Sequence, residues 1–157
     1  MMKVKTELYL ATAALLILFI AGCSNDNKGA NGNAVTQTND PKNIVVDKIE
    51  IFHFHGTYQC YSCITVGQYA EDTVNTYFAD EVKDGKVIFA HINGELPENS
   101  EKVMQYGATG SSLWLGTYAK DGQFKAEQNI NVWYKINNKQ EYMNYLKGVI
   151  EQKLSGG

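Results

Sequence analysis

The segment that most constrains this chain is Lys48–Cys63. There a run rich in Ile and Phe, Lys48–His55 (KIEIFHFH), passes through Gly56-Thr57-Tyr58-Gln59 into Cys60-Tyr61-Ser62-Cys63. The run has the length and residue types of a buried strand, and Gly56–Gln59 reads as a turn. From Cys60 to Tyr77 the positions Cys63, Val66, Tyr69 or Ala70, Val74 and Tyr77 recur at helical spacing. Two thiols therefore stand where a core strand gives way to a helix. After the turn Asp84-Gly85, Lys86–Ile92 (KVIFAHI) reads as a second strand. A strand, a helix and a strand in this order imply a right-handed crossover and a parallel pair.

The remaining elements follow from turn and cap signals. Pro97–Tyr106 reads as a short helix, with Pro97 in its first turn and Gly107 at its stop. Ser112–Ala119 (SLWLGTYA) is a third strand, Lys120-Asp121-Gly122 a hairpin turn, and Gln123–Ile130 a fourth strand. Asn138 can cap a last helix to Leu154, with Met143, Leu146, Val149 or Ile150, and Leu154 along one face. The expected order is β-α-β-α-β-β-α: an α/β domain over residues 45–157, with a central mixed four-stranded sheet flanked by helices on both faces. Asn129–Asn138 (NINVWYKINN) reads as an insertion before the last helix. The aromatics, Trp114, Trp133 and Tyr134 among them, read as core and rim packing.

The placement of the cysteines has chemical consequences. The first amides of a helix are unpaired and its dipole is positive there. A Cys60 thiolate is stabilised at such a position, which raises the fraction of nucleophile at neutral pH. Cys63, one turn later on the same face, is the more buried partner and can attack a mixed disulfide formed at Cys60. Two other readings of the pair stay open. One is a purely structural disulfide, although so short a loop constrains the unfolded chain little. The other is a zinc or copper site, because His53 and His55 alternate on one face of the strand before Cys60 and Cys63. The bland alternative for His53 and His55 is core packing, and His91 in the second strand reads as structural.

The chain has three cysteines, and the first belongs to a different region. Lys3 and Lys5 precede an apolar run from Leu8 to Ile20, too short for a spanning helix but suited to a secretory signal. Ile20-Ala21-Gly22-Cys23 resembles the lipobox of bacterial lipoproteins. That resemblance implies cleavage before Cys23, lipid on its thiol, and a cell-envelope location anchored to a membrane on the extracytoplasmic side, where disulfides persist. The alternative is an uncleaved anchor helix. Residues 23–44 are polar and small, and read as a flexible tether that cannot bury enough surface to offset its ordering entropy. The basic residues are 14 lysines with no arginine, and the net charge is −3. With no guanidinium fork and no positive field, nucleic acid is not an expected partner.

The exported CxxC in this element order resembles the thioredoxin-like superfamily of thiol-disulfide oxidoreductases. More narrowly, Phe54-His55-Gly56-x-x-x-Cys60-x-x-Cys63, the Asp84-Gly85-Lys86-Val87 strand entry and Ser111-Ser112-Leu113 are similar to a group of lipoproteins labelled nitrophenyl-compound nitroreductase subunit, ArsF type. The superfamily resemblance implies a redox-active disulfide with no further cofactor. It also implies protein thiols or disulfides as substrates, and a redox donor or acceptor. The label implies, as an alternative, an accessory subunit of a nitroreductase-type complex, but the chain has no Gly-rich dinucleotide fingerprint. The thioredoxin loop that faces the CxxC matches Thr109–Leu113, where Ser112 stands in place of the usual cis-proline. A cis bond there without proline costs about 3 kcal/mol, so trans is expected. The resemblance implies that Ser111 and Ser112 make the wall beside the sulfurs polar, and the missing proline favours the metal alternative. The buried acid of thioredoxins falls at Phe54, with His55 beside it as a substitute. Tyr61 and Ser62 between the cysteines, with no histidine, imply a mild redox couple. Tyr58 and Tyr61 flank Cys60 as a docking surface.

Overall fold

The computed structural model describes residues 45–157. The expected signal segment, the lipobox with Cys23 and the tether lie outside the described residues. Four strands, β1 (Val46–His55), β2 (Val87–Asn93), β3 (Ser112–Ala119) and β4 (Phe124–Gln128), form one sheet in the order β2-β1-β3-β4. β1 pairs with β2 in parallel and with β3 antiparallel, and β3 pairs antiparallel with β4. The helices are α1 (Tyr61–Tyr77), α2 (Ala79–Lys83), α3 (Ser100–Tyr106) and α4 (Lys139–Leu154). This is the expected mixed four-stranded sheet, and the domain has the thioredoxin-like fold. Among the described residues, no helix is long and apolar enough to cross a membrane.

Alternation along β1 splits the core into two. Ile49 and Ile51 face α1 and α4, where Val66, Ala70, Val74, Leu146 and Ile150 pack around Leu113 and Leu115. Phe52 and Phe54 face α3, with Tyr106 and Ala108. The two helices on the first face are pinned by Tyr142 of α4. Its buried hydroxyl donates to the Val66 carbonyl of α1 at 2.7 Å, and burial pushes its ionisation well up.

The structure departs from the expected elements in four places. Helix α2 was not expected. Phe78, only 3% exposed, anchors the chain after α1, and α2 starts from it through a bond from the Val82 amide to the Phe78 carbonyl. Pro97–Asn99 is a 3-10 turn that leads into α3, so the proline-initiated helix is split in two. β4 stops at Gln128: the Asn129 amide still makes the next ladder bond, to the Leu113 carbonyl, but its side chain accepts from the Tyr145 hydroxyl and the 3-10 segment follows. The expected insertion folds as a 3-10 segment, Ile130–Lys135, held to the core by fully buried Val132.

Candidate functional site

Cys60 and Cys63 are joined in a disulfide across the first turn of α1, with Cα atoms 5.0 Å apart. Cys60 is the N-cap residue of α1, and its sulfur accepts from the Cys63 amide at 3.1 Å. Cys60 is exposed and Cys63 half-buried, the order expected for an entering sulfur and a resolving one. No acidic side chain lies in the first turn of α1, so nothing there offsets the positive end of the helix. Tyr58 and Tyr61 project into solvent on either side, 96% and 83% exposed, and Ser62 is half-buried between the cysteines.

The loop that presents Cys60 is tied down from the next strand. The Thr57 amide donates to Glu95 Oε2 at 3.0 Å, and Asn93 Nδ2 donates to the Thr57 hydroxyl at 3.1 Å. The Thr57 backbone amide first, and then its hydroxyl, hold the Glu95 carboxyl below its ordinary range. A cleft of about 210 Å³ opens beside this loop, lined by His55, Gly56, Glu95, Thr109 and Gly110 among others.

All described peptide bonds are trans, Ser111–Ser112 included. Ser112 pairs with Phe54 across β1 and β3, so it shares the α3 side of the sheet. Its hydroxyl donates to the Gly110 carbonyl and accepts from Trp114 Nε1, at 2.9 and 3.0 Å. Those two bonds tie the hydroxyl to its own loop and to Trp114. The Ser111 hydroxyl oxygen is buried without a hydrogen-bond partner.

The three histidines differ in exposure: His53 is buried, His55 half-buried and His91 exposed. His55 donates from Nδ1 to the Gly56 carbonyl at 2.9 Å, a bond within its own loop. The ring beneath α1 is that of His53, which is 1% exposed. It lies so close to Gly67 that a Cβ there would come within 2.6 Å of His53 Cε1. Burial first, then the neighbouring His91 and His55 rings, hold His53 down to about 4, against a smaller opposing effect of the Cys63 backbone. His91 is not core filling: it shares a hydrogen bond with His53, Nδ1 to Nδ1 at 3.0 Å, and reaches Glu71 on α1 at 3.4 Å. Among the described residues no group of three or more His, Cys, Asp or Glu side chains is placed to hold a metal ion. The expected set of Cys60, Cys63, His53 and His55 is therefore not assembled as one.

Sequence reasoning found the two cysteines and the flanking tyrosines but missed Thr57, Glu71, His91 and Glu95. A usable signal existed for His91. Aligning the two apolar runs as parallel strands sets His53 opposite His91, the pairing observed.

No family model matches the chain, and comparison with curated proteins finds no match. Among solved structures, the chain is similar to a thioredoxin from Thermus thermophilus, known from a solution structure. The identity is 14%, the alignment covers 66% of this chain and 74% of that one, and the TM-score is 0.40. The fold assignment rests on the strand order and connections described above.

Proposed function

We propose that this protein is a thiol-disulfide oxidoreductase, anchored by lipid at Cys23 to the extracytoplasmic side of a membrane. The observation that carries the reading is the Cys60–Cys63 disulfide, which spans the first turn of a helix and has its first sulfur exposed at the helix N-terminus. In the reduced state the helix end and the Cys63 amide favour a Cys60 thiolate. That thiolate attacks a disulfide of a partner protein, and one partner sulfur leaves. Cys63 then attacks Cys60, re-forms the intrachain disulfide and releases the second partner sulfur. Run backwards, the same steps oxidise a dithiol. Tyr58 and Tyr61 supply apolar contact area for the partner, and the cleft beside Gly56 and Thr109 receives its chain. The lipobox-like Ile20-Ala21-Gly22-Cys23 after the apolar run supports the anchored form.

Reduction of a model protein disulfide tests this. Cys60→Ser is expected to abolish turnover, while Cys63→Ser accumulates a covalent mixed disulfide that a reductant dissolves. Wild-type turnover in both variants, with no trapped partner, would overturn the reading. Palmitate labelling of the expressed full chain, lost in Cys23→Ala, tests the anchor separately.

A further inference from the structure

Among the described side chains that line the cleft beside the Cys60 loop, Glu95 carries the one carboxylate and none is a lysine. The structure holds that carboxylate in a fixed place. Its Oε2 accepts from the Thr57 amide, while Asn93 grips both partners: Nδ2 donates to the Thr57 hydroxyl and Oδ1 accepts from the Glu95 amide at 3.1 Å. Oε1 lies over the turn, so close that a Cβ at Gly56 would come within 2.8 Å of it. The Thr57 bonds favour the ionised form at neutral pH. A carboxylate has about four acceptor positions, so Thr57 does not saturate it. No cation of the chain answers it either. Residues 49–82, 87–101 and 103–119 supply the cysteines, the cleft and the serine loop, and none of them is Lys or Arg. Lys102, next to Val103 of the cleft, turns instead to Glu50 and Gln105. Among the described residues, the lysine ion pairs go to Glu50, Asp72, Glu127, Glu141 and Glu151, and Glu95 is in none of them. On either side of Cys60 stand the exposed phenols of Tyr58 and Tyr61, whose ring faces attract cations.

We propose that Glu95 makes this site select partner proteins that carry a lysine or arginine next to the reactive cysteine. The proposal rests on the thiol-exchange reading and names the class of substrate. The ammonium or guanidinium of the partner settles in the cleft against Glu95, in a charge-assisted hydrogen bond. That contact sets the register in which the partner sulfur meets Cys60. A carboxylate next to the partner cysteine is repelled from the same place, so selection works by exclusion as well as by attraction. Recognition and chemistry are joined through Thr57, because the residue that fixes Glu95 belongs to the turn that presents Cys60.

The test uses the reduced full-length protein in uncharged detergent and three peptides closed by one disulfide. The peptides are alike except for the residue next to one cysteine, which is Lys, Gln or Glu. Reduction of the Lys peptide is expected to outpace that of the Glu peptide by about tenfold at low salt, with the Gln peptide between them, and the gap is expected to narrow at high salt. Glu95→Gln keeps an acceptor for the Thr57 amide and is expected to bring the ratio to within about twofold. Gly56→Ala, whose Cβ would displace the carboxylate, is expected to lower the ratio in the same direction. Glu101→Gln removes the same charge from an exposed position on α3 and is expected to keep most of the ratio. Equal rates for the three peptides in the wild type, or a ratio that Glu95→Gln leaves intact, would overturn the selection and leave the exchange chemistry standing. So would an equal loss in Glu101→Gln, which would assign the effect to net charge. A wild type that reduces none of the peptides would sink both.

Discussion

Glu50 shows how much one buried side chain can organise. It sits in the middle of β1, 5% exposed, on the α3 side of the sheet. Its carboxylate accepts from Lys48 at 3.0 Å, Lys102 at 3.2 Å, and the hydroxyls of Tyr106 and Tyr118 at 2.9 and 3.0 Å. Burial alone favours the neutral acid, but the four donors outweigh it and hold the carboxyl below its ordinary range. Tyr106 can reach it because Gly116 stands opposite Glu50. A Cβ at Gly116 would come within 2.7 Å of Tyr106 Cζ. Burial first, and then donation to Glu50, push the Tyr106 phenol far up. Glu50→Gln removes the charge and turns one acceptor into a donor facing donors, so it is expected to cost about 2 kcal/mol in urea unfolding. Lys48→Met, at a half-buried rim position, is expected to cost less than about 1 kcal/mol. Equal losses would mean the cluster behaves as ordinary surface pairs.

At the scale of elements, the last helix is the clearest case of local sequence setting local structure. Asn138 Oδ1 accepts from the Glu141 amide at 3.1 Å, and Tyr142, Met143, Leu146 and Ile150 are buried along the helix. Asn138→Ala is expected to lower stability by about 1 kcal/mol in thermal or urea unfolding, while Asn138→Asp keeps most of it. A loss in Asn138→Asp as large as that in Asn138→Ala would argue against a capping role. Such signals explain what was legible: β1, α1, β3 and α4 each carry their own period, cap or turn. Helix α2 carries none, since its five residues include no buried one and it depends on Phe78 before it. The Ile130–Lys135 turn was equally opaque, because Val132 becomes core only once α4 is in place. In the site, Cys60 and Cys63 were legible because both lie in one helical turn. The link from His53 to His91 spans β1 and β2, and Glu71 joins from α1. No local pattern records a contact between residues 38 apart.

For the folded domain as a whole, the buried histidine ties stability to pH. His53 is held down to about 4 from an ordinary 6.5, chiefly by burial and then by the rings of His91 and His55. Between those values the unfolded chain binds a proton at this position that the folded chain refuses. Stability therefore rises with pH across the window, is fully present above about pH 6.5, and falls as pH drops toward 4. Glu50 acts in the same direction but lower, since a depressed carboxyl weakens the fold only as pH falls below its ordinary 4.5. The two windows separate the contributions. The melting temperature is expected to decline first between about pH 6.5 and pH 4.5, with the His53 ring resonances unmoved until pH nears 4. Glu50→Gln should leave that first decline intact and flatten the steeper loss below it. A melting temperature constant from neutral pH down to 4.5, or a His53 ring that titrates near its ordinary value, would mean that the ring is not sealed beneath α1.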